Sequence, residues 1–180
     1  MKKFLLCFCL CAFLLSCNND KDKEKTADAT KEDNTTKTTV DLPYTATYSS
    51  SFSTDVPDAD LKMVLMTYKD WSDANISGLS KSMGDSVTVE FGNGEKFMGT
   101  NEALMKRWTG YRDSLSSVKI NMVAWQKMYS TDKKEAFIVT WYDETDTYKN
   151  GKVDSAAYHD INLVKDGKIV VYSQYKRPKK

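Results

Sequence analysis

Residues 135–175, EAFIVTWYDETDTYKNGKVDSAAYHDINLVKDGKIVVYSQY, alternate apolar and polar side chains through three stretches separated by two glycine turns. Successive side chains of a strand point to opposite faces, so a period of two predicts strands over 135–147, 153–164 and 168–175. Asn150-Gly151 and Asp166-Gly167 suit the primed two-residue turns whose twist matches that of the flanking strands. A fourth strand, 118–129, precedes them across Asp132-Lys133. Together the four predict an antiparallel meander at the C-terminal end.

Upstream the period changes. Over 56–75, Leu61, Val64, Leu65, Tyr68 and Trp71 recur at helical spacing, with Pro57 in the first turn and Asp58 and Asp60 at the positive end of the helix dipole. A second, short helix over 76–83 carries Ile76, Leu79 and Met83 on one face and stops at Gly84. Val87, Val89 and Phe91 alternate over 86–91, and Gly92-Asn93-Gly94 turns the chain back into a short strand at 96–98. Thr100 then caps a third helix reaching to about Ser116, with Leu104, Arg107, Trp108, Tyr111 and Leu115 as its inward stripe.

The N-terminus is of another kind. MKKFLLCFCLCAFLLSC has two lysines, an unbroken apolar run from Phe4 to Leu15, then Ser16 and Cys17. These are the charged and apolar regions of an export signal. The run is too short to span a bilayer, which takes roughly 20 residues. Its end, Leu14-Leu15-Ser16-Cys17, resembles the lipobox of bacterial lipoproteins, which implies that Cys17 is lipidated and anchors the mature protein to a membrane. Asn18, rather than aspartate, follows the cysteine, so the outer membrane is the expected location, facing the periplasm or the cell surface. Residues 18–39, NNDKDKEKTADATKEDNTTKTT, hold only two apolar side chains and are expected to be a disordered tether. With the serine- and threonine-rich lead-in that follows, the chain divides into signal 1–17, tether and lead-in 18–55, and domain 56–177.

Composition excludes several chemistries. All four cysteines lie in the first 17 residues, so the domain has no disulfide, thiol nucleophile or cysteine metal site. One histidine, His159, does not make a zinc site, and no metal is expected. There are 26 basic and 25 acidic side chains; losing Lys2 and Lys3 with the signal leaves a net of −1. Without a basic stripe, nucleic acid is not expected as a partner. No G-x-S-x-G and no phosphate-binding glycine loop is present, so no cofactor is expected.

Two helices, a hairpin, a helix and a four-stranded meander, in that order, resemble the nuclear-transport-factor-2-like (SnoaL-like) superfamily. Trp71 closing the first helix, Asp85 before the first strand, FMGTNEAL leading into the third helix and VKDGKI before the last strand add local support. The likeness covers residues 56 to about 176. It implies an α+β fold in which a curved antiparallel sheet wraps around helices and leaves a conical pocket at one end, with the sheet available to a second copy as a homodimer surface. SnoaL-like members often carry an acidic residue shortly after the helix-closing aromatic, where this chain has Asn75. Isomerases of the ketosteroid type place a carboxylate base at a position matching Phe91 here, with Glu90 on the other face, so that base is missing. Their second acidic group would fall near Asp160, which alternation turns outward.

Alternation also proposes what lines the pocket. In 153–164 the set Val153, Ala157, His159, Ile161 and Leu163 is more apolar than Asp154, Tyr158, Asp160 and Asn162, which predicts an inward His159. In 135–147 the apolar set Phe137, Val139 and Trp141 puts Trp141 beside it. Trp125 lies in a strand apolar on both faces. The expected ligand pocket is Trp71, Trp108, Tyr111, Trp141 and His159, with His159 able to act as acid or base near neutral pH. Two functions follow. One is a non-catalytic envelope module that holds a small apolar or aromatic ligand or a protein partner; the other is a small-molecule lyase or isomerase using His159.

Overall fold

A computed structural model describes residues 41–179. Cys17 and the polar stretch 18–39 lie outside the described residues. The first element, β1 (Phe52–Ser53), is followed by α1 (Asp58–Ser72), α2 (Ile76–Ser82), β2 (Met83–Glu90), β3 (Lys96–Thr100) and α3 (Asn101–Arg112). The meander follows as β4 (Leu115–Ser130), β5 (Glu135–Tyr148), β6 (Val153–Lys165) and β7 (Lys168–Pro178). All seven strands form one sheet in the order β1-β4-β5-β6-β7-β2-β3. The fold class is the expected α+β, a curved sheet wrapped around three helices.

The meander pairs through consecutive antiparallel neighbours, with Thr140 opposite Asp160 and Trp141 opposite His159. Asp166 and Gly167 both take positive φ, 51° and 69°, as a primed turn requires. Each strand outruns its sequence-based bounds, since main-chain pairing continues where the side-chain pattern fades. β7 then lies parallel to β2, with Val89 opposite Tyr172, and this pairing joins the N-terminal hairpin to the meander. Register shifts between Met83 and Thr88, Met122 and Ala124, and Leu163 and Val164 interrupt the ladders. Such bulges bend a strand and increase its twist, which curls the sheet around the helices.

Val64, Val89, Leu104, Ile138 and Ile169 are fully buried between the helices and the concave face. Burying an aliphatic side chain of this size contributes about 1.5 to 3 kcal/mol. The helix starts are capped as their sequences suggest. Thr100 Oγ1 accepts from Ala103 N at 3.2 Å, and Asn75 Oδ1 accepts from Gly78 N at 3.1 Å. Asn75 also donates to Asp70 Oδ1 at 2.8 Å, so at this departure from the SnoaL-like pattern an amide ties α1 to α2. Asn101 Nδ2 donates to the carbonyls of Ser80 and Met83, fastening the start of α3 to the α2–β2 junction.

Buried Arg112 closes the other end of α3. Its Nε and Nη2 donate to the carbonyls of Trp71 and Ser72, each at 3.0 Å, where the α1 dipole is negative. Arg112→Met keeps most of the aliphatic stem but removes both guanidinium donors, leaving the Trp71 carbonyl only its backbone partner from Ala74. We expect a loss of about 2 kcal/mol in urea unfolding; a loss below about 0.5 kcal/mol, the range of ordinary surface changes, would contradict this role.

Ahead of α1, β1 pairs Phe52 with Ser130 and Ser53 with Tyr129. Ser49 Oγ donates to Asp132, Thr131 N donates to the Ser51 carbonyl, and Tyr48 bonds Glu135. The lead-in thus lies along the β4–β5 hairpin, and the described residues from Pro43 onward belong to one unit.

Candidate functional site

Three elements wall a cavity of about 390 Å³ inside the curl of the sheet. From α1 come Tyr68 and Trp71, from α3 Arg107, Trp108 and Tyr111, and from the meander Tyr142, Glu144, Tyr158, Asn162, Tyr172, Gln174 and Lys176. Phe91 to Asn93, in the β2–β3 turn, and Glu95 form one side. Eight of these side chains are aromatic. Tyr142 stacks on Tyr158 with centroids 5.2 Å apart, Tyr68 meets Tyr142 edge-on at 4.9 Å, and Trp108 meets Tyr172 edge-on at 6.3 Å. The Trp71 and Tyr111 rings are parallel with centroids 6.0 Å apart.

The helix periodicity of Trp71, Trp108 and Tyr111 thus brings all three to the pocket, as expected. His159 and Trp141 are not there. In the register that places Thr140 opposite Asp160, the inward set is Ile138, Thr140, Tyr142 and Glu144 on β5 and Ala156, Tyr158, Asp160 and Asn162 on β6. Trp141 and His159 stack on each other on the convex face, centroids 4.9 Å apart and 11° from coplanar, with Tyr175 at 5.8 Å from the imidazole. His159 therefore does not reach the pocket, and its assignment as acid, base or ligand contact is corrected. A period of two separates two faces without saying which is inside, and here the more polar set is the buried one. Trp125, opposite Thr140, is half exposed and does not line the cavity.

What sequence reasoning missed is a polar layer beneath the aromatic walls. Asp160 is completely buried. The hydroxyls of Tyr68 and Tyr172 donate to its Oδ2 at 3.0 and 2.9 Å, while Oδ1 has no partner among the described residues. Thr140 Oγ1 lies 2.6 Å from the Tyr68 hydroxyl and Gln174 Nε2 donates to that of Tyr172 at 2.7 Å, extending the chain on both sides. Burial pushes the Asp160 carboxyl up to about 7, with the surrounding tyrosine hydroxyls pulling the other way. Asp160 sits behind the rings rather than among the lining side chains. The acidic group turned outward by alternation is thus inward, held by the ladder register.

Glu144 does line the cavity and is 92% buried, its exposure being 8%. Burial pushes its carboxyl up to about 8; Asp146 and Asp160 add to the rise, while Lys176 and the neighbouring Trp71 indole oppose it. At neutral pH this group is mainly protonated and can donate a hydrogen bond or a proton. Asp146, one turn of the pleat further, is also raised by burial and accepts from Tyr111 Oη at 3.0 Å. At the rim, Arg107 pairs with Glu95 and lies 4.3 Å over the Phe91 ring, and Lys176 Nζ bonds Asp154 at 2.8 Å. Among the described residues, no group of three or more His, Cys, Asp or Glu side chains is arranged to hold a metal, and no helix is long and apolar enough to cross a membrane. The clue to Glu144 lay in phase: Thr140, Tyr142, Glu144 and Asp146 are all even-numbered on one strand, and so are Tyr158, Asp160 and Asn162 on the next.

No protein-family model matches the chain, and no curated protein matches it in sequence. Solved structures do match it. An LEH-like epoxide hydrolase from M. tuberculosis superposes with a TM-score of 0.57 at 9% identity, over 67% of this chain and 84% of that one. A nuclear-transport-factor-2-like protein of unknown function from Exiguobacterium gives 0.53 at 20% identity, over 67% and 99% of the two chains. A protein assigned as a SnoaL-like polyketide cyclase from Jannaschia gives 0.55 at 9% identity, over 68% and 88%. Identities this low carry the architecture alone: the chain has the nuclear-transport-factor-2-like fold shared by SnoaL-like proteins.

Proposed function

We propose that the domain holds a small molecule with a flat, largely apolar body and one polar group, without catalysis, and that the mature protein carries it on a lipid anchor at Cys17 in the outer membrane. The observation behind the binding reading is the cavity of about 390 Å³ walled by eight aromatic side chains, with polar side chains set among them. Pockets of this size and composition are the usual form of small-molecule sites. Glu144, Asn162, Gln174 and Lys176 supply polar groups from the sheet and Asn93, Glu95 and Arg107 from the β2–β3 turn and α3, and these set the ligand's orientation.

A panel of flat aromatic compounds should quench tryptophan fluorescence and raise the melting temperature of the purified protein. Trp108→Ala, which removes a wall, should weaken the best of them about tenfold or more, the equivalent of about 1.4 kcal/mol of lost contact. His159→Ala, on the convex face, should leave affinity unchanged. The reverse ranking would overturn the placement of the site.

A lyase or isomerase reading is favoured by one observation, the Glu144 carboxyl held at about 8 inside the cavity. On that reading Glu144 takes the acid role expected of His159, because a group titrating near neutral pH can both give and take a proton there. Glu144→Gln would then abolish turnover while leaving binding in place.

The anchor rests on the apolar run that ends at Ser16-Cys17. Several acyl chains on one residue give durable membrane attachment, since each buried methylene contributes about 0.8 kcal/mol. In cells fed an alkyne palmitate, Cys17→Ala should lose the label and move from the membrane to the soluble fraction. Labelling that survives the substitution would remove the lipoprotein reading.

A further inference from the structure

We propose that the polar group of the pocket's ligand is a cation, an amine or quaternary ammonium on a flat apolar body; this rests on the reading of the cavity as a small-molecule site. The walls present π-faces, whose quadrupole is negative above the ring and attracts a positive charge within about 6 Å. Tyr142 and Tyr158 stack side by side on the sheet, and Trp71, Trp108 and Tyr172 come from three different elements around the same space.

The ionisable groups of the site are unbalanced in the same direction, toward carboxyls that a cation would induce to ionise. Both basic side chains that line it are already matched, Arg107 by Glu95 and Lys176 by Asp154. Among the described residues, Glu144 forms no ion pair, and neither do Asp146 and Asp160 behind it. Glu144 lines the cavity beside the Trp71 indole, so most of the acceptor capacity of the carboxyl is open toward the cavity. An anionic ligand would face these acids without a free cation to meet it. A neutral one would leave the aromatic faces and the carboxyl without their best partner. An organic cation uses both, seated against the rings with its charge near Glu144, which gives up its proton to solvent as the cation enters.

Phenyltrimethylammonium, its uncharged carbon analogue tert-butylbenzene and benzenesulfonate, titrated against the purified full-length chain with tryptophan fluorescence as readout, test this. The cation should bind about tenfold or more tightly than either of the others. Glu144→Gln, which keeps the shape and removes the ionisable group, should cost the cation about tenfold and leave tert-butylbenzene unchanged. If the neutral compound or the sulfonate binds as tightly as the cation in wild type, or if Glu144→Gln leaves the cation unaffected, the proposal falls while the pocket stands. If none of the three binds, or if Trp108→Ala changes none of them, the small-molecule reading falls with it.

Discussion

Asp160→Ala will leave the domain about 3 to 5 kcal/mol less stable than Asp160→Asn at pH 6. The difference follows from what surrounds the carboxyl. Tyr68 and Tyr172 both donate to Oδ2 in a place closed to water. Alanine leaves those two hydroxyls without their acceptor and opens a void, whereas the asparagine carbonyl accepts from both. At pH 6 the native side chain is itself mostly neutral, because burial holds it at about 7. At pH 9 it is ionised in the fold; because the unfolded group is already ionised at pH 6, the advantage of Asp160→Asn over wild type should grow by about 1 to 2 kcal/mol between pH 6 and pH 9. Urea unfolding of the three proteins at the two pH values checks this. An alanine variant as stable as the asparagine one would show that the tyrosine–carboxyl cluster holds nothing together.

The same physics sets the pH profile of the wild type. Unfolded carboxyls lose their protons near pH 4, but in the fold Asp160 holds its proton to about 7 and Glu144 to about 8. Between those limits the folded state binds more protons than the unfolded one, so stability falls as pH rises. The contribution is complete below about pH 4 and is lost through 7 to 8. With two groups the total is on the order of 5 kcal/mol between pH 5 and 9. Glu90, Glu95, Asp132 and Asp154 are shifted downward by their hydrogen-bond partners and support the fold only above the range in which they ionise, so they shape the acid side. The melting temperature should therefore peak near pH 5 and decline toward pH 9, and the double variant Glu144→Gln, Asp160→Asn should flatten the decline. A wild-type profile that rises from pH 5 to 8 would refute the buried, protonated pair.

The architecture was largely legible in the sequence because turns and periods are local. Asn150-Gly151, Asp166-Gly167 and the helical stripe through Tyr68 and Trp71 each specify an element without reference to the rest. The parallel β2–β7 pair was not legible, since no local feature of 83–90 or 168–178 encodes which distant edge it meets. Inside the site, helix stripes carried Trp71, Trp108 and Tyr111 correctly because an apolar stripe has one side to hide. The strands misled for the opposite reason. On β5 and β6 the apolar residues Trp141, Ile161 and Leu163 form the convex surface, and the buried face is built of Thr140, Glu144, Asp160 and Asn162. Those polar groups are tolerated inside because tyrosine hydroxyls, themselves carried on apolar rings, satisfy them there. Counting tyrosines in phase with the polar set, rather than apolar residues alone, would have pointed to the right face.

The β2–β7 pairing also dictates an order of assembly. Strands β4 to β7 are joined by tight turns and can zip together one after another, each step closing a short loop. Joining Val89 to Tyr172 spans some eighty residues of chain and becomes affordable only when one strand partner is already in place. The meander should accordingly nucleate folding and the N-terminal helices and hairpin should condense on it afterwards. Phe91 and Trp108 arrive with that late half, while Tyr142, Tyr158 and Tyr172 belong to the early one, so the cavity comes into existence only at the last step. A chain that leaves the ribosome N-terminus first presents its late-folding half first, and must hold those helices unpaired until the final strand has been delivered.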